Sequence, residues 1–336
     1  MRLLIVTDAW APQVNGVVTT LRTIGDHLTR AGRTVEFLSP NGFHSIPCPT
    51  YPEIRLSLLP YRRVCAEIER FQPDALHLAT EGPLGAAARR YCAKRGLRFT
   101  TAYHTRFPEY VHARTRVPID LTYRWLRHFH GRAHAMLVPT PAVRRELLRR
   151  GFDNTVAWSH GVDLAAFTPG ARDRFDDSPR PIFLYVGRVA VEKNIEAFLK
   201  LDLPGTKWVV GEGPMRAQLE RRHPEVRFAG IQTPTELARI YRAADVFVFP
   251  SLTDTFGLVM LEAMACGTPV AAFPVTGPVD VIRQSQAGVM DRDLRIACLK
   301  ALQIPRSVPR AWAEQFSWDA SIREFEAALV AMRPAS

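Results

Sequence analysis

Residues 246–272 read VFVFPSLTDTFGLVMLEAMACGTPVAA. The run Val246–Phe249 is unbroken and apolar, the mark of a strand buried on both faces. A helix is expected over Gly257–Ala265, and a second strand over Pro269–Ala272. Strand, helix and strand in so short a span make a parallel βαβ unit, which belongs to α/β architecture. The helix is apolar on every side except for Glu262. A helix of that kind is buried, and a lone carboxylate inside it is costly unless something donates to it.

Working outward, the same alternation continues. Strands are expected at Ile182–Val186, Trp208–Val210 and Val226–Phe228, with helices near Asn194–Leu201 and at Thr235–Ala243. In the first half, strands are expected at Leu3–Thr7, Thr34–Leu38, Ala75–Leu78, Phe99–Tyr103, Ala135–Val138 and Thr155–Trp158. Helices are expected at Val17–Arg30, Leu84–Lys94 and Ala142–Arg150. The polar stretch TPGARDRFDDSPRP, 168–181, buries little apolar surface and reads as a linker. The expected organisation is a Rossmann-like domain over 1–168, a linker over 169–181 and a second Rossmann-like domain over 182–317. An amphipathic helix, Trp318–Met332, would pack back on the first domain. Ligands of open parallel sheets sit beyond the carboxyl ends of the strands, so the expected site is the cleft between the two domains.

The composition, 47% hydrophobic and 23% charged, is that of a globular protein. No apolar run reaches the roughly 20 residues of a spanning helix. The opening MRLLIVTDAW lacks the pattern of a signal peptide, so a cytoplasmic location is expected. The five cysteines are scattered and form no CxxC pair, which reads as reduced thiols rather than a disulfide framework or zinc ribbon. The net charge of +11 is uneven. Residues 1–170 hold 23 Lys and Arg against 13 Asp and Glu, and residues 171–336 hold 21 against 20. A basic first half is compatible with a polyanionic partner and equally with plain solubility.

Gly211 and Gly213 begin a GxGxxG pattern that fails at Arg216, and there is no GxxxxGK[ST], HExxH or GxSxG. Dehydrogenase, P-loop and hydrolase readings therefore weaken. Asp254 stands in the loop after Val246–Phe249 and reads equally as a helix cap or as a ligand contact. Arg188 and Lys193, in YVGRVAVEKN, lie between a strand end and a helix N-terminus. Cations oppose the helix dipole there, and a bound diphosphate would resolve the conflict; exposed basic residues are the other reading. Asn15-Gly16 marks a tight turn before a helix, where N–H groups approach a phosphate. His104 follows strand Phe99–Tyr103 and is either a sugar contact or an ordinary loop histidine. His128, His130 and His134 sit in RHFHGRAHAM, the last two four apart on an expected helix. They lack a carboxylate or cysteine partner for a metal.

Together these segments resemble the retaining glycosyltransferase family 4, whose members have the GT-B fold of two Rossmann-like domains facing across a cleft. The resemblance runs through PQVNGVV, Glu81–Gly85, HTRFPEY, Gly161–Asp163, GRVAVEKN, GEGP, SLTDTFGLVMLEAMACGTPVAA and Phe316–Asp319. It implies that Arg188 and Lys193 bind a donor diphosphate and Glu262 the ribose. Asp254, with the amides of Phe256, Gly257 and Leu258, would contact the transferred sugar and phosphate. Gly16 would cradle the phosphate, and His104 would lie near the reacting carbon. It also implies retention of configuration, no metal or other cofactor, and a leaving phosphate that helps deprotonate the acceptor. The first acid is usually Glu in the family and is Asp254 here, one methylene shorter.

TDTFG is similar to enzymes making glycolipids, such as sulfoquinovosyl- and glucosyl-diacylglycerol synthases. PQVNGVV and HTRFPEY occur there and in mannosyltransferases acting on lipid anchors. The expected partners are a UDP- or GDP-sugar, a lipid acceptor such as diacylglycerol, and an anionic membrane surface met by the basic first domain, with the enzyme peripheral on the cytoplasmic face. A soluble enzyme making polysaccharide or a small glycoside is the alternative, and a nucleotide-sugar epimerase on the same fold is another. A nucleic-acid-binding protein would need stacking motifs or a recognition helix, and the sequence has neither.

Overall fold

The computed structural model describes residues 1–13, 15–48, 51–172, 178–283 and 285–334. The chain divides into two units, Met1–Ser159 with Ser321–Ser336 and His160–Ala320. Unit 1 runs β1 (Arg2–Val6), α1 (Gly16–Arg30), β2 (Thr34–Leu38), β3 (Ser45–Cys48), β4 (Tyr51–Ser57), α2 (Tyr61–Phe71), β5 (Ala75–Leu78), α3 (Pro83–Arg95), β6 (Thr100–Ala102), α4 (Phe107–Thr115), α5 (Ile119–His130), β7 (Ala135–Val138), α6 (Pro141–Arg149) and β8 (Thr155–Ala157). Its six-stranded parallel sheet has the order β2-β1-β5-β6-β7-β8, and β3 and β4 pair antiparallel outside it.

Unit 2 runs β9 (Ile182–Val186), a 3₁₀ turn (Val191–Lys193), α7 (Ile195–Leu199), β10 (Thr206–Val210), α8 (Arg216–Arg222), β11 (Arg227–Gly230), α9 (Pro234–Ala243), β12 (Val246–Phe249), α10 (Leu258–Ala265), β13 (Val270–Ala272), α11 (Pro278–Val281), β14 (Gly288–Met290), α12 (Leu294–Ala301) and α13 (Ser307–Ala313). Its parallel sheet has the order β11-β10-β9-β12-β13-β14. Successive strand residues point to opposite faces. Leu184, Val186, Phe247 and Phe249 therefore bury in one core, and Phe183, Tyr185, Val246 and Val248 in the other. That is why these strands read as unbroken apolar runs.

Two expected boundaries shift. The first domain was expected to end at residue 168, yet Val162 and Phe167 bury in the core of unit 2, so the division falls after Ser159. Of the expected linker 169–181, residues 173–177 lie outside the described residues, and the remainder belongs to unit 2. There Arg172 and Arg180 both pair with Asp245, which also accepts from the Ile182 amide at 2.8 Å.

The last helix, α14, spans Trp318–Ala328 and stops short of Met332; from Ser321 onward the chain belongs to unit 1. Phe325 is fully buried against Trp158 and His77, and Trp158 Nε1 donates to the Ser321 carbonyl at 3.1 Å. Among the described residues no helix is long and apolar enough to cross a membrane.

Candidate functional site

The sheet of unit 2 reverses direction between β9 and β12. Strands β10 and β11 extend one way and β13 and β14 the other. At such a switch point the two strand-end loops part, which makes it the usual ligand position of an open α/β sheet. Both loops carry residues singled out in the sequence. The loop after β9 holds Gly187, Arg188 and Lys193, and the loop after β12 holds Asp254 and leads into α10.

The loops are tied together side chain by side chain. Lys193 Nζ forms an ion pair with Asp254 Oδ1. Asn194 Nδ2 donates to the Pro250 carbonyl at 3.0 Å, and Thr253 Oγ1 donates to the Glu192 carbonyl at 3.2 Å. The charge on Lys193 is thus matched from within the protein, where the sequence offered either an external anion or plain solvent exposure. Arg188 is half-buried, and its carbonyl accepts from the Tyr185 hydroxyl at 2.7 Å.

A third loop, after β10, supports this arrangement backbone to backbone. The Val189 amide donates to the Glu212 carbonyl at 2.9 Å, and Met215 donates to the Val189 carbonyl at 3.1 Å. A Cβ on Gly211 would lie 2.0 Å from the Gly187 carbonyl oxygen, and one on Gly213 would lie 2.3 Å from that of Val189. The two glycines that open the failed dinucleotide pattern therefore permit this close packing.

Asp254 is not the cap of α10. The capping position is Gly257, at φ 91°, and no side chain accepts from the first turn. Asp254 is held away by Lys193. Its second oxygen, Oδ2, is buried without a hydrogen-bond partner, as is Ser251 Oγ in the same loop. Buried polar atoms are normally satisfied, and an ionised carboxylate accepts only. The missing partner is therefore a donor such as a hydroxyl. Beside it lie a cation and the uncapped amide end of a helix, where anions are favoured.

Glu262 is half-buried, on the α10 stripe it shares with the partly buried Leu258 and Val259, while Met260, Leu261, Ala263 and Met264 face the core. It is not alone, as the sequence implied. Tyr241, wholly buried on α9, donates its hydroxyl to Glu262 Oε2 at 3.0 Å. Desolvation still dominates, raising the carboxyl to about 7 against the opposing Tyr241 hydrogen bond. Phe256 is buried, with its ring 4.9 Å from that of His160, and Leu258 opens the helix.

Gly16 and His104 belong to unit 1. Gly16 is the first residue of α1 rather than part of a turn before it, and Asn15 Oδ1 caps that helix by accepting from the Val18 amide at 3.0 Å. His104 follows β6, half-buried, with its ring edge-on to Trp158 at 5.5 Å. The three histidines at 128–134 do not converge. Helix α5 ends at His130, so His134 lies beyond it, and His130 is buried with Nδ1 2.9 Å from Thr101 Oγ1. Among the described residues no group of three or more His, Cys, Asp or Glu is placed to hold a metal ion.

One residue the sequence did not single out is Asp8, at the end of β1. It accepts from the amides of Leu84 and Gly85, at 2.9 and 3.3 Å, and from Thr80 Oγ1 at 2.9 Å. Tyr241 was missed as well. Both make contacts distant in sequence, and a single chain gives no local sign of them.

With this geometry in view, the comparisons with known proteins decide the family. A family model described as "Glycosyl transferases group 1" matches residues 180–303, and "Glycosyltransferase Family 4" matches residues 14–166. The chain is 30% identical over 318 residues to a GDP-mannose-dependent alpha-mannosyltransferase of Mycobacterium tuberculosis, covering 86% of this chain and 83% of that one. The chain belongs to glycosyltransferase family 4.

It is also 32% identical to the sulfoquinovosyl transferase of Arabidopsis thaliana, covering 80% of this chain and 57% of that one. To the alpha-monoglucosyldiacylglycerol synthase of Streptococcus pneumoniae it is 26% identical, over 90% of this chain and 78% of that one. Among solved structures, sucrose-phosphate synthase of Thermosynechococcus elongatus matches with a TM-score of 0.77 at 22% identity, over 97% of both chains. The fold is therefore GT-B, two Rossmann-like units, and the protein is a glycosyltransferase.

Proposed function

We propose that this family 4 enzyme moves a hexosyl group, of the glucose, glucuronate or mannose class, from a UDP- or GDP-sugar to a membrane lipid such as diacylglycerol. It does so with retention, forming an α-glycosidic bond without a metal. The observation that carries the donor part is Asp254: one oxygen on Lys193, the other buried without a partner, beside the uncapped start of α10. A sugar hydroxyl supplies the missing donor, and the diphosphate takes the cation and the helix amides.

In this reading Arg188 and Lys193 hold the diphosphate and stabilise the charge that grows on it as the glycosidic bond breaks. Glu262 accepts from the ribose hydroxyls. Asp254, with the amides of Phe256, Gly257 and Leu258, holds the sugar and its phosphate. Gly16 at the start of α1 approaches the phosphate, and His104 contacts the sugar near the reacting carbon. The leaving phosphate takes the proton of the acceptor hydroxyl as the new bond forms on the same face.

The lipid acceptor is supported by the alpha-monoglucosyldiacylglycerol synthase relative and by charge. Unit 1 holds 25 Lys and Arg against 14 Asp and Glu, and unit 2 holds 19 of each. All of the excess charge therefore lies in unit 1, where it suits the cytoplasmic face of an anionic membrane.

The test is a donor panel of UDP-glucose, UDP-galactose, UDP-glucuronate and GDP-mannose, with and without diacylglycerol in detergent micelles. Donor turnover that rises with lipid and yields an α-glycolipid is the expected result. Turnover indifferent to lipid removes the lipid acceptor and leaves a transferase acting on soluble acceptors. Donor conversion without any acceptor points to the epimerase instead.

A further inference from the structure

Helix α5 has one face too many. Thr122, Tyr123, Leu126, Phe129 and His130 bury against unit 1 and account for its packing. The stripe beside that face carries Leu121 and Trp125, one turn apart and 52% and 39% exposed, with the Trp125 ring also 5.8 Å from that of Phe129. Phe107, at the start of α4 and 37% exposed, brings its ring to 5.8 Å from that of Trp125. Val117, also 37% exposed, lies in the turn that joins the two helices. Four large apolar side chains thus form a ridge facing solvent.

Arg116, in the turn before the helix, and Arg124, next to Trp125 and one turn from Leu121, are exposed beside the ridge. The one acid in its first turn, Asp120, is paired with Arg150 at 3.7 Å. Helices that lie in a bilayer interface combine an apolar ridge, tryptophan at the boundary and arginine beside it. A protein interface would more often deplete the flanking charge at its core, and the excess charge of unit 1 favours an anionic surface.

We infer that the exposed face of α4–α5, centred on Leu121 and Trp125, is the surface by which the enzyme seats on an anionic bilayer. The inference rests on the lipid-acceptor reading above and names where the membrane is met. Leu121, Trp125 and Phe107 enter the interfacial layer, and the arginines meet the phosphate groups.

The test uses the full chain and vesicles of phosphatidylglycerol and phosphatidylcholine, without donor or acceptor. Binding is read by sedimentation, and Trp125 fluorescence by quenching with brominated lipid. The expected result is salt-sensitive binding, with quenching lost in Trp125→Phe. Leu121→Glu and Trp125→Ala should each weaken binding about tenfold, and Arg124→Ala about fivefold, with the thermal midpoint unchanged.

Binding that survives both apolar substitutions overturns the assignment. So does binding that is lost instead with Leu59→Glu, at the exposed β4–α2 turn. Self-association of the chain that Leu121→Glu abolishes assigns the face to a second copy and also overturns it. The micelle assay separates this inference from the functional reading. Lipid glycosylation in micelles without vesicle docking through α5 sinks the surface and keeps the acceptor. Docking through α5 without lipid glycosylation does the reverse.

Discussion

The two sheets have the same kind of switch point and put a carboxylate at each, but with opposite outcomes. In unit 1 the order reverses between β1 and β5, and Asp8, leaving β1, turns into the amide end of α3. A Cβ on Gly82 would lie 2.4 Å from the Asp8 carboxyl carbon, so the fit is close. In unit 2 the order reverses between β9 and β12, and Asp254 turns away from α10 to Lys193. The first helix end is filled by the chain's own acid. The second has no side-chain cap and stands beside a cation and an unpartnered carboxylate oxygen. A helix end already satisfied has no room for another anion. The same topology thus builds a closed structural joint in one unit and, in the other, a helix end without a side-chain cap, the anion site of the proposed function.

The largest expected effect breaks the open site. Lys193→Ala should lower kcat about 100- to 1,000-fold at saturating donor, because on the proposed mechanism it removes charge stabilisation at the leaving phosphate. Arg188→Ala should do the same, while Asp8→Asn should leave kcat unchanged below its unfolding temperature. Steady-state release of nucleotide measures all three. A loss in Lys193→Ala as small as in Asp8→Asn would remove the distinction between the two joints.

The next effect concerns Glu262. Its carboxyl is raised to about 7 by burial. In the proposed site ribose hydroxyls donate to the ionised form, so donor binding would favour deprotonation. The donor KM should therefore fall as pH rises through about 7 and level off above it. Glu262→Gln should raise KM roughly ten- to a hundredfold at pH 8, since hydrogen bonds to a charged group are worth about 1.5–3 kcal/mol. Its KM should also be flat with pH. A pH profile in Glu262→Gln matching the wild type would place the titrating group elsewhere.

Much of this comparison was legible in the sequence and some was not, for a physical reason. The strands Ala75–Leu78, Ile182–Val186 and Val246–Phe249 were readable to the residue, because burial on both faces leaves a run that is apolar but for His77. The β3–β4 hairpin and α2 were not, since YRRVCAEIERF and SIPC bury few of their residues. At the site, residue types and strand-end positions pointed to Arg188, Lys193, Asp254 and Glu262. What they could not give was pairing. Lys193 meets Asp254 across 61 residues, Tyr241 meets Glu262 across 21, and Asp8 reaches Leu84 across 76. The switch points create the first and third of these contacts and the packing of α9 on α10 the second, and only the strand order and helix packing reveal them. Asp254 was open to a capping role because its nearness to α10 in sequence hides Gly257, whose positive φ takes that place.

The smallest effect tests the closed joint itself. Burial raises the Asp8 carboxyl from 3.8 to about 6, outweighing its hydrogen bonds from Leu84, Thr80 and Gly85. A carboxyl whose folded value lies above its unfolded one binds its proton more tightly in the native state. Stability from this group is therefore fullest below pH 3.8 and falls as pH rises through about 6. Between pH 5 and 7 that loss amounts to about 1 kcal/mol. Asp8→Asn keeps an oxygen acceptor for α3 but cannot ionise. Its unfolding free energy should fall less than that of the wild type over this range, by about that amount, when denaturant melts at the two pH values are compared. An equal pH dependence in both proteins would mean that Asp8 stays ionised in the fold. The α3 amide end would then be holding a full charge, as α10 is proposed to do for the diphosphate.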